Sequence, residues 1–168
     1  MMDVNVFEGK PVAPDKRIAI VISRYNETVT SRLLNGALAT FDEHGVAASA
    51  IDFAWVPGAF EIPIVAAQMA QSQRYAAVLC LGAVIRGETT HDQHINTAVS
   101  NELASLGVRT GVPVLFGVLT CNSLEQALAR AGGTVGNKGS ECAMAALEMA
   151  DLIRQMSVAH GRSTGEMR

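Results

Sequence analysis

Residues 75 to 85 read YAAVLCLGAVI, an uncharged apolar run bounded by Arg74 and Arg86. As a helix it is far shorter than the roughly 20 residues a bilayer crossing needs. As a strand with apolar residues at both parities, it must be covered on both faces, which is the situation of an interior strand in a parallel sheet flanked by helices. The rest of the chain repeats the theme. RIAIVIS at 17 to 23, the stretch from about 48 to 56 and VPVLFGVLT at 112 to 120 are further short apolar runs, and segments of helical period separate them. That alternation predicts βαβ units, a parallel sheet and a three-layer α/β/α sandwich.

The helical segments follow from spacing and punctuation. Leu33, Leu34, Ala37, Leu38 and Phe41 fall on one face of a first helix that stops at Gly45. Pro63 suits a first helical turn ahead of VAAQMAQSQ. Ile95, Ala98, Val99, Leu103 and Leu106 face a third helix toward the core, with Gly111 as its stop. SLEQALARA is a short helix with Ser123 as N-cap, GGTVGNKG is expected as a loop, and Cys142, Ala145, Ala146, Met149, Ile153 and Met156 line one face of a last helix. A single domain over 17–156 is expected, with an N-terminal extension at 1–16 and a frayed tail at 157–168.

At 168 residues, with 49% hydrophobic, 5% aromatic and 17% charged residues and 15 glycines, the core must be aliphatic and closely packed. A net charge of −3 provides no basic field for nucleic acid. Cys80, Cys121 and Cys142 are odd in number and sit in apolar surroundings, as buried thiols of a reducing compartment do. The opening MMDVNVFEGKPVAPDK lacks a basic region followed by an apolar one, so a cytoplasmic protein without a membrane partner is expected.

Ligands of such folds sit outside the carboxyl ends of the strands. SRYNET, VPGAFEIP, RGETTHDQH and FGVLTCN follow or close the four strands and are expected to open on one crevice. His91 at a helix start is either a surface residue or a proton carrier kept neutral by the helix dipole, and the amides beside Thr89 and Thr90 form an anion site. The His91 and His94 spacing invites a metal, but no third ligand is evident, so no metal is expected and His94 reads as solvated. Arg130 and Lys138 are either a helix-end arginine and a solvated loop lysine or a phosphate site; GNKG lacks the P-loop spacing. Tyr25 and Phe116 read as strand-end aromatics suited to stacking on a flat heterocycle, although Phe116 could equally be core, and Glu61 could be only a first-turn acid. The residues alone indicate a planar, polar substrate plus a phosphate, worked on by a histidine.

WVPGAFEIP, GAVIRGETTH, PVLFGVLT, RAGG and GNKG, in this order over about residues 17 to 156, resemble the lumazine synthase family of riboflavin biosynthesis. The resemblance implies a flavodoxin-like fold with a four-stranded parallel sheet. It implies a transferase that condenses 5-amino-6-(D-ribitylamino)uracil with 3,4-dihydroxy-2-butanone 4-phosphate to 6,7-dimethyl-8-ribityllumazine, without a cofactor. On this likeness Tyr25 stacks on the pyrimidine, where phenylalanine or tryptophan is usual. Gly58, Ala59, Phe60 and Glu61 hold the pyrimidine and ribityl chain against Ala83, Val84 and Ile85. Glu88, Thr89, Arg130 and Lys138 serve the phosphate, and His91 transfers protons. Phe116 is offered to a neighbouring subunit's site. The resemblance further implies a pentamer-based homo-oligomer, extended in some members to decamers or capsids, with riboflavin synthase as a candidate partner. Asp92-Gln93-His94 and Thr134 differ from the family's usual aromatics and lysine, and are expected to bear on subunit packing. The competing readings are a flavin- or nucleotide-binding module and a mainly structural shell protein on the same fold.

Overall fold

The computed structural model describes residues 2 and 4–165. Strands β1 (Arg17–Ser23), β2 (Ile51–Val56), β3 (Tyr75–Ile85) and β4 (Val114–Cys121) form one parallel sheet in the order β2-β1-β3-β4. Helices α1 (Glu27–Glu43), α2 (Ile62–Gln71) and α3 (His91–Thr110) are the crossovers, and the short α4 (Leu124–Ala129) and long α5 (Lys138–Gly165) complete the chain. The architecture is the flavodoxin-like three-layer sandwich expected, with β3 inside the sheet between β1 and β4.

Period-two alternation sends each strand's side chains to two cores. Ile18, Ile20, Ile22, Leu79 and Leu81 pack against α1 and α5, while Ala19, Val21, Val78 and Cys80 pack against α2 and α3. Interior strands read as unbroken apolar runs for this reason. Gly111, at φ 69°, ends α3 in the left-handed conformation, and Ser123 caps α4 by accepting from the Gln126 amide at 3.2 Å.

Three expectations need correction. Residues 48–50 are a single 3-10 turn ahead of β2 and not part of the strand. GGTVGNKG is no plain loop: β5 (Ala131–Gly133) and β6 (Gly136–Asn137) pair as a small antiparallel hairpin, too short for periodicity to show. In α5 the buried face is Cys142, Ala143, Ala146, Leu147 and Ala150, whereas Met149, Ile153 and Met156 are partly exposed. The helix carries two apolar stripes, and packing on α1 selects the one with small residues. Helix α5 is continuous from Lys138 to Gly165; residues 166–168 lie outside the described residues.

The start of α5 explains GNKG. Asn137 Oδ1 accepts from the Gly139 amide at 2.8 Å and from the Ser140 amide at 3.3 Å, and its Nδ2 donates to the Arg32 carbonyl at 2.9 Å. A Cβ on Gly139 would lie 1.9 Å from the Leu33 carbonyl oxygen, so glycine is what lets α5 approach α1. The N-terminal segment is strapped along the same helix. The Lys10 amide donates to Asp151 Oδ2 at 3.0 Å, and Gln155 Nε2 donates to the Glu8 carbonyl at 2.8 Å.

Candidate active site

The chain leaves β1 toward β2 on one side and reaches β3 on the other, so the sheet's switch point lies between β1 and β3. A cavity of about 440 Å³ opens there, at the carboxyl ends of the strands. Tyr25 enters from the end of β1, and Gly58, Ala59, Phe60 and Glu61 come from the turn between β2 and α2. Ala83, Val84 and Ile85 form the edge offered by β3, and Thr89 and His91 stand at the start of α3.

Local structure shapes each wall. The Arg24 amide donates to the Val56 carbonyl at 2.8 Å and the Tyr25 amide to the Pro57 carbonyl at 3.0 Å, which carries the β1–β2 pairing past the last strand residue. Tyr25 remains 74% exposed, a ring presented to solvent and not packed in the core. Arg24 lies over the Trp55 ring, 5.3 Å from its centroid, on the same rim. Glu61 folds back so that Oε2 accepts from the Gly58 amide at 2.8 Å, which orders the turn and leaves Oε1 for a ligand hydroxyl. The His91 amide donates to Thr89 Oγ1 at 3.4 Å and the Gln93 amide to the Thr90 carbonyl at 3.1 Å. The side chain of Thr90, the N-cap, makes no capping bond, so the positive end of α3 faces the cavity mouth.

Glu88, Phe116, Arg130 and Lys138 do not line this cavity. Three strand ends converge, and not the four expected. Phe116 is not at a strand end: it pairs with Cys80 inside β4 and is 39% exposed. Arg130 and Lys138 form a separate group near the end of β4, joined by a 2.8 Å bond from the Lys138 amide to the Arg130 carbonyl. The hydrogen bond from its Nζ to Glu141 raises the pKa of Lys138, against desolvation and the nearby Arg130 charge, so it remains a cation. Burial raises the Cys121 thiol, with the Arg130 charge opposing. Burial likewise raises the Cys80 thiol and pushes Cys142 up to about 11, so these are packing residues and not nucleophiles.

Gly87, within the RGETTHDQH motif expected at the crevice, also lines the cavity, as do Asp92 and Ile95, which were not expected to line the site. Asp92, which the family resemblance assigns to subunit packing, follows His91 in the first turn of α3 and lines the cavity with it. Ile95 shows that the apolar face of α3 begins inside the pocket. A larger cavity of about 750 Å³ lies at the opposite end of the sheet, lined in part by residues 12–16 and by α5 between Ala150 and Ser157. On its walls Lys16 bonds to the Gln73 carbonyl, and Arg154 pairs with Asp151. Three strand ends, the exposed rings of Tyr25 and Phe60 and the start of α3 converge on the smaller cavity. Among the described residues no group of three or more His, Cys, Asp or Glu is placed to hold a metal, and no helix is long and apolar enough to cross a membrane. A family model described as 6,7-dimethyl-8-ribityllumazine synthase matches residues 15–154.

Proposed function

The chain belongs to the 6,7-dimethyl-8-ribityllumazine synthase family of riboflavin biosynthesis, and from that premise we propose that it condenses 5-amino-6-(D-ribitylamino)uracil with 3,4-dihydroxy-2-butanone 4-phosphate. The supporting observation is the half-open cavity at the switch point, with an exposed aromatic, a backbone edge and a histidine on its walls and a helix N-terminus at its mouth. The pyrimidine stacks on Tyr25 with its polar edge along Ala83–Ile85, and the ribityl chain runs past Phe60 toward Glu61. The uracil's primary amine attacks the ketone and water leaves to form an imine. Proton removal from the adjacent carbon expels phosphate, and attack of the ribityl-bearing nitrogen on the resulting carbonyl closes the ring with loss of a second water. His91 carries protons between these steps. Positioning two reactive substrates accounts for much of the acceleration.

The cavity holds no lysine or arginine on its walls, while a phosphate needs charge-assisted donors. Arg130, Lys138 and the half-exposed Phe116 are therefore brought to it by a second copy of the chain, and the active form is a pentamer-based homo-oligomer with sites at subunit interfaces. A cytoplasmic location accords with a soluble metabolic enzyme. Purified protein mixed with both substrates is expected to release fluorescent lumazine and inorganic phosphate in equal amounts, faster than the uncatalysed mixture. A rate equal to background would refute the assignment, and tight FMN binding without turnover would favour a flavin-binding module.

A further inference from the structure

We propose that Asn26 is a positioning residue for the uracil half of this pocket, its side-chain amide locking the Tyr25 rim to the β3 edge. The substrate named here rests on the synthase reading above; the locking itself does not. The β1–β3 ladder ends at Ile22 opposite Leu81, whereas β3 continues to Ile85. Ala83 is thus left without a strand partner on its β1 side, and Asn26 Nδ2 donates to its carbonyl at 2.8 Å. The side-chain amide stands in for the strand that has turned away.

Asn26 does this against its local preferences. Its φ of 62° and ψ of 43° are left-handed, a conformation that asparagine tolerates better than most side chains. It occupies the N-cap of α1, where an asparagine ordinarily turns its side-chain oxygen back onto the first helical amides. Here the side chain makes no cap bond, and the first turn is held by the Asn26 backbone carbonyl, which accepts from Val29 at 2.8 Å and Thr30 at 3.1 Å. The local bond is forgone for one that spans 57 positions.

The neighbours show what the bond holds. Arg24 and Tyr25 are tied by their amides to Val56 and Pro57, so residues 24 to 26 are fastened to the end of β2 by backbone and to the edge of β3 by the Asn26 side chain. Tyr25 is too exposed for packing to fix it. Its distance from Ala83–Ile85, the gap a flat heterocycle must fit, is therefore set by these bonds. The groups assigned to the phosphate, Thr89 at the start of α3 and Arg130 and Lys138 of a second copy, are not on the Arg24–Asn26 rim, so loosening the rim weakens the aminouracil more than the butanone phosphate.

Asn26→Gly keeps the left-handed turn without the amide, and Asn26→Asp keeps the shape but turns an acceptor toward a carbonyl. Both are expected to raise KM for the aminouracil by about three- to tenfold, the worth of one hydrogen bond, with KM for the butanone phosphate within about twofold of wild type. Hydrogen–deuterium exchange at the Arg24 and Tyr25 amides is expected to accelerate while α1 and β3 exchange as before. Unchanged exchange at these two amides, or an equal rise in both KM values, would overturn the proposal. Were the wild-type protein inactive on this substrate pair, the reaction assignment would fall, and the exchange rates would still decide whether Asn26 orders the rim.

Discussion

Arg130 closes α4, and its charge is felt by both Cys121 and Lys138, so replacing it weakens a cation group without abolishing it. Arg130→Ala is expected to raise KM for the phosphate substrate by about ten- to a hundredfold, in line with the loss of charge-assisted bonds. Steady-state kinetics with the aminouracil held saturating reads this directly, and an unchanged KM would refute the role. His91→Ala is expected to lower kcat by roughly a hundredfold yet leave a rate above the uncatalysed one, because general acid–base transfer is only part of the acceleration. Gly139→Ala belongs to a different class. Its Cβ would meet the Leu33 carbonyl at 1.9 Å, and a loss of about 3 kcal/mol is expected, seen as a Tm lower by about 10 °C. Residues that announce chemistry by type and strand-end position, such as Tyr25, Glu61 and His91, were readable in the chain. Asn26 and Asn137 were not, because each acts through a carbonyl far away in sequence, 57 and 105 positions distant.

Among the elements, α5 and the N-terminal segment depend on one carboxylate. Asp151 is only 6% exposed and accepts from Arg154, the Lys10 amide and Gln155, bonds that lower its pKa to about 2. A lowered carboxylate stabilises the fold fully above its ordinary value of 3.8, and that contribution is lost as pH falls through about 2. The strap at residues 8–10 is therefore expected to become protease-sensitive in wild type only when the pH drops below about 4, as a digestion series with pepsin in acid and a serine protease near neutral pH, each normalised to an unfolded control peptide, would show. Asp151→Asn is expected to be sensitive at neutral pH as well, and equal resistance there would show that the clasp is unimportant. Strands β1 and β3 were legible to the residue, since burial on both faces leaves no polar alternation to confuse their limits. The stripe on α5 was misread because Met149 and Ile153 are as apolar as Leu147, and only the closeness of α1 decides between them.

For the whole molecule, a cavity bearing Tyr25 and His91 and a separate group bearing Phe116, Arg130 and Lys138 lead to a mixing experiment. His91→Ala and Arg130→Ala proteins are each impaired alone. Unfolded together and refolded as mixed oligomers, about a quarter of their interfaces pair a normal cavity with a normal cation group, so activity is expected to rise well above either parent. No gain on mixing would mean that one chain supplies both halves, whereas size-exclusion chromatography would report the assembly itself.

The order of apolar runs and helical segments determined the layers, the parallel sheet and most strand limits, because burial on two faces and helical period are written in residue type. The motifs at the strand ends likewise carried the resemblance to the family that the chain belongs to. Which strand ends meet was decided only in three dimensions. The sheet order β2-β1-β3-β4 opens the crevice between β1 and β3 and leaves the end of β4 outside it, and strand order depends on contacts between segments far apart in the chain.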